Sequence, residues 1–155
     1  MQKVIKKPVS LPAYIRDIDA ARTAYGFDPL YTGGLDGAGE RVALIEINGF
    51  KSADIKAFAT CFGLPVPKVA RYGVGGIKKP LPAVSGETTL DLEILDAAAP
   101  GLKGVDVYES RPLAVDVLHA LTVPLTNRGR KPDVISASLG SCEADAKDAI
   151  RGKNI

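Results

Sequence analysis

Apolar residues recur along this chain in two alternating rhythms. Residues 41–47, RVALIEI, are mostly apolar and β-branched and follow the turn-rich stretch TGGLDGAGE, which predicts a buried strand. Ser52 is then placed to cap a helix through SADIKAFATCFG, where Ile55, Phe58 and Phe62 fall at helical spacing and Gly63 supplies the stop. A short strand is expected at 69–73, followed by a Gly-, Lys- and Pro-rich loop from 74 to 86, of the kind that is exposed or functional more often than structural. A helix is expected at 87–99, ended by Pro100 and Gly101, then a strand at 104–110, a helix at 112–125 and a strand at 133–138. The stretch EADAKDAIRGK at 143–153 reads as a last helix.

Strands that are apolar on both faces and separated by helices predict an α/β fold: a mostly parallel sheet in a three-layer α/β/α arrangement, with right-handed crossovers. Residues 1–16 read as a tail or linker, and no internal repeat or second domain is evident.

Composition adds limits to this picture. The chain has 155 residues, 46% of them apolar, and a mean hydropathy of +0.07, the balance of a globular domain with one core. A net charge of +2 with 25% charged residues makes no strong field, so neither nucleic acid nor an anionic membrane is an expected partner. The basic clusters Lys3-Lys6-Lys7, Lys78-Lys79 and Arg128-Arg130-Lys131 lack interleaved aromatics and read as solvated loops. No apolar run reaches the roughly 18 residues of a membrane span. The basic opening MQKVIKKPVSLPAYI is broken by Pro8 and Pro12, unlike an ordinary signal peptide. Cys61 and Cys142 match no zinc spacing with the single His119; a disulfide, a buried thiol pair and two unrelated thiols all remain open, the last favoured.

Candidate chemistry concentrates in GETTLDLE, residues 86–93. Glu87 and Asp91 are i and i+4, so on a helix both carboxylates emerge on one face, one turn apart. With Leu90, Leu92, Ile94 and Leu95 around them, the acids are expected to face a partly buried pocket, where burial and mutual repulsion raise and split their titration. Such a pair can serve as a base and its orienter under acidic conditions, where an imidazole is already protonated. The plainer reading is an acidic first turn favoured by the helix dipole.

Four stretches in order, DIDAARTAYGFDPLY with GLDGAGERVALIEING, then GETTLDLE, AAAPGLKGVDVYE and PDVISASLGSCE, resemble the sedolisin family of serine-carboxyl peptidases. The resemblance lies in a tyrosine-bearing lead-in, a G-x-G-x-x-V-A strand, an E-x-x-x-D helix, an APG turn and an S-x-S-x-G strand, and it covers about residues 17–143. It implies a subtilisin-like doubly wound fold and a Ser-Glu-Asp triad, with Glu87 as general base and Asp91 as the carboxyl that orients it. Ser138, Leu139 and Gly140 would then line the edge along which an extended polypeptide substrate pairs; the plainer reading is a buried strand ending at a glycine turn.

The same resemblance implies that the nucleophile in its G-T-S setting, the oxyanion aspartate and a calcium site lie beyond Gly140, and residues 141–155 contain none of them. The expectation is therefore a truncated N-terminal portion of the catalytic domain, residues 17–155, inactive alone, with the C-terminal half of that domain as its missing partner, no cofactor or metal of its own, and residues 1–16 as a propeptide junction. Secretion is implied by the family only. The alternative is a non-catalytic peptide-binding remnant or gene fragment. A plain subtilisin is a weaker match: Glu46 stands at the place of its aspartate, its H-G-x-G turn is missing, and His119 falls in a helix with no partner evident.

Overall fold

The computed structural model describes residues 18–127, 129–140 and 142, which form two compact units divided after Leu35. In the first unit, α1 (Ile18–Ala24) and α2 (Asp28–Thr32) are joined by a turn at Gly26, whose φ of 74° suits a residue without a Cβ. Arg22 pairs with Asp19 and lies over the Tyr31 ring, 5.0 Å from its centroid. Neither helix was singled out by the periodicity of the sequence, because both are short and bury no residue.

The second unit carries the sheet. Its elements run β1 (Arg41–Glu46), α3 (Ser52–Phe62), β2 (Val69–Gly73), α4 (Glu87–Ala98), β3 (Gly104–Glu109), α5 (Ala114–Thr126) and β4 (Val134–Ser136). All four strands are parallel, in the order β2-β3-β1-β4. Register follows directly: Arg41 opposes Gly104 and Glu46 opposes Glu109 across β1 and β3, while Leu44 opposes Ser136 across β1 and β4.

Strand alternation divides the core in two. Val42, Leu44, Val105 and Val107 point to one face and pack with Phe50, Ile55 and Leu92 under α3 and α4. Ala43, Ile45 and Tyr108 point to the other and pack with Ala120 of α5. The expected helix–sheet–helix layering is therefore present, and β1 and β3 read as continuous apolar runs because both faces are covered.

The helices begin and end for local reasons. Gly63, at φ 68°, takes the left-handed position after α3 and lets the Leu64 N–H reach back to the Ala59 carbonyl at 2.8 Å. Ser52 was expected to cap α3; instead Lys51 holds the cap position, no side chain caps the end, and Ser52 is the first helical residue. Asp106, buried in β3, is neutralised by Arg41 at 3.2 Å and Arg130 at 2.8 Å, which together close the amino-terminal end of the sheet.

No disulfide joins Cys61 to Cys142, and both thiols are exposed. No helix among the described residues is long and apolar enough to cross a membrane. The helix expected at 143–153, the tail at 1–16 and Arg128 lie outside the described residues.

Candidate active site

In a parallel sheet all carboxyl ends of the strands share one rim, and ligands of open α/β sheets settle there, where the chain reverses its direction of winding. Here the chain winds from β1 out to β2 and back to β3, then crosses to β4 on the other side of β1. The carboxyl end of β1 is Glu46, and it is an acid where the pattern of the strand calls for an apolar residue.

Glu46 is 1% exposed and sits on the face covered by α4. Its Oε2 accepts a hydrogen bond from the Thr88 hydroxyl at 3.0 Å, and the same hydroxyl lies 3.0 Å from the Asn48 carbonyl oxygen. The carboxyl of Asp91 stands close beside that of Glu46. Oε1 of Glu46 and Oδ2 of Asp91 are buried and reached by no nitrogen or hydroxyl donor among the described residues. Two bare carboxylates side by side repel, which favours the protonated form of the more deeply buried Glu46.

Burial is the largest influence on Glu46 and pushes it up to about 7; the Thr88 hydroxyl opposes the rise, and the charges of Asp91 and Glu87 add to it. In mildly acidic solution Glu46 therefore keeps its proton.

Glu87 and Asp91 stand on α4 as the sequence led us to expect, one turn apart. Their surroundings differ more than expected. Asp91 is half-buried and turned toward Glu46, while Glu87, the first residue of the helix, is exposed. The reason is helical phase: Thr88, Leu92 and Asp96 form the buried stripe of α4, which leaves Asp91 at its border and Glu87 outside it. The three acids are thus graded from solvent to core: Glu87 outermost, Asp91 between, Glu46 innermost.

Ser138, Leu139 and Gly140 lie one residue past the end of β4, beyond the carboxyl end of the sheet. Ser138 and Gly140 are exposed; Leu139 packs against the cluster of Ala43 and Ile45. β4 is shorter than expected, 134–136 rather than 133–138, and pairs with β1 on one side only among the described residues. His119 lies exposed on α5, away from the acids of α4 on the opposite layer. Glu46 was noted in the sequence only as an acid standing where another family has an aspartate; its acid character within an apolar strand was the signal that it belongs with Asp91. Among the described residues, no group of three or more His, Cys, Asp or Glu side chains is placed to hold a metal ion.

No family model matches the chain. Over 140 residues, 83% of its length, the chain is 31% identical to kumamolisin of Bacillus sp. (strain MN-32), and the aligned part spans 25% of that protein.

Proposed function

We propose that this chain is the acid-pair-bearing part of a sedolisin-type serine-carboxyl peptidase, and that its chemistry is peptide-bond hydrolysis through an acyl-enzyme. The observation that carries the reading is the graded row Glu87, Asp91, Glu46 at the carboxyl rim of a parallel sheet. Similarity to kumamolisin, a sedolisin-family peptidase, supports it.

In this reading Glu87, open to solvent, takes the proton of a serine hydroxyl as the serine oxygen bonds to the scissile carbonyl carbon. Glu87 then returns that proton to the leaving amine as the carbon–nitrogen bond breaks, and water repeats the cycle on the acyl-enzyme. Asp91 holds Glu87 in orientation, and Glu46, which keeps its own proton, adds no second negative charge behind Asp91. An extended substrate lies along Ser138, Leu139 and Gly140 by backbone pairing. The serine and the oxyanion donors come from the part of the peptidase outside the aligned quarter.

A chimera in which this chain replaces the aligned quarter of kumamolisin tests the assignment. Hydrolysis of a denatured protein substrate in acid, lost on mutation of the nucleophilic serine, is the expected result. A folded chimera that binds peptide without cleaving it supports instead a non-catalytic binding module.

A further inference from the structure

The loop at 74–86, of a kind expected to be exposed or functional, has its middle held by two charged side chains from the neighbouring strands. Glu109, the last residue of β3, is 1% exposed and directs one carboxylate oxygen to Arg71 and the other to the backbone N–H of Leu81 at 2.6 Å. Arg71 of β2 answers with three ties: to Glu109, to the Phe50 carbonyl at 3.2 Å and to the Leu81 carbonyl at 3.1 Å. Its guanidinium also lies over the Phe50 ring, 4.5 Å from the centroid.

Burying an ion pair costs desolvation, and a pair that only filled space would be replaceable by apolar side chains. Here every tie beyond the pair itself goes to backbone, in two segments that must meet. One is the turn at 48–50 that leaves β1 just after Glu46; the other is the strap at 78–86 that leads into α4. Where they meet, the Gly49 N–H donates to the Pro82 carbonyl at 3.0 Å, and a Cβ at Gly49 would run into the Leu81 carbonyl oxygen. The same turn is tied to α4 from the other side by Thr88, whose hydroxyl reaches the Asn48 carbonyl. Four residues separate the last fixed point of the strap, Pro82, from Glu87.

We propose that Arg71 and Glu109 are positioning residues: their buried ion pair fastens the strap to the turn after β1 and so fixes the first turn of α4, on which Glu87 and Asp91 stand. The functional meaning rests on the acid-pair reading above, but the geometry is testable in this chain alone. The charged groups that act on Glu46, whose titration the test reads, are Asp91 and Glu87, both on α4.

The test is a carbon-13 carboxyl titration of Glu46 and Asp91 in the 155-residue chain, with amide exchange at Leu81 and Gly49, for wild type, Glu109→Gln, Arg71→Lys and Gly49→Ala. Loosening the strap is expected to speed exchange at both amides about tenfold. As water reaches the cluster, the Glu46 midpoint should fall by about one pH unit. Arg71→Lys keeps the charge without the fork and should fall between wild type and Glu109→Gln. Should Glu109→Gln fail to fold, Gly49→Ala, which retains both charged residues and acts by pressing on the Leu81 carbonyl and the Arg71 guanidinium, carries the test. Faster exchange with an unchanged Glu46 titration overturns the proposal. A wild-type chain in which Glu46 and Asp91 titrate independently overturns the acid-cluster reading and this proposal with it; coupling that survives all three variants overturns this proposal alone.

Discussion

The Thr88 hydroxyl lies 3.0 Å from Oε2 of Glu46 and thereby ties the first turn of α4 to the last residue of β1. A hydroxyl has one proton, and this one stands equally close to the Asn48 carbonyl, so it serves a carboxyl and a backbone turn alternately. The contact fixes how deep α4 sits, and with it the depth of Asp91.

Thr88→Val keeps the shape and removes that donor. Because the hydroxyl holds Glu46 down against the effect of burial, its loss should move the Glu46 midpoint above about 7. Stability should fall by about 1 kcal/mol, the usual worth of such a bond. Carbon-13 titration and urea unfolding check the two halves; a midpoint that stays or drops argues against the Thr88 contact.

Stability should also carry the sign of the raised Glu46. The folded state holds a proton on Glu46 up to about 7, while an unfolded glutamate releases it near 4.5, so the contribution is fully present below 4.5 and is lost as pH rises to about 7. Its size is on the order of 3 kcal/mol. Glu93, raised by burial and by Asp54, acts with the same sign. Comparing denaturant midpoints of wild type and Glu46→Gln at pH values across that window isolates Glu46: the variant should lose less stability on going up. Parallel curves would remove Glu46 from the account.

The layering, the parallel strands and the positions of β1, β2, β3 and α4 were legible because apolar runs and helical stripes are local signals. α1 and α2 were not, since neither buries a stripe. The Glu87 and Asp91 spacing was legible in the same way, but not their unequal exposure, which depends on the phase of α4 against β1. Nor were the partners of Glu46 and Glu109 legible: Glu46 meets Thr88 across 42 positions and Glu109 meets Leu81 across 28, and no periodicity within one segment encodes a contact between two.

Leu92 follows Asp91 in α4, is buried on the other side of the same turn, and packs with Leu44 and Val107. Leu92→Ala should cost about 2–5 kcal/mol by leaving a cavity under the helix. Thermal or urea unfolding checks this. A loss below about 1 kcal/mol would mean that α4 is not seated on the sheet as described.

The central claim is that Glu87 acts as the base with Asp91 behind it, and the most direct measurement is kcat/KM at acidic pH for the kumamolisin chimera carrying Glu87→Gln. The substitution keeps the shape of the side chain and removes its capacity to take a proton. A fall on the order of 10³-fold is expected, with a smaller fall for Asp91→Asn, whose loss leaves the base present and poorly held. A Glu87→Gln chimera that hydrolyses its substrate at the unsubstituted rate would contradict the assignment.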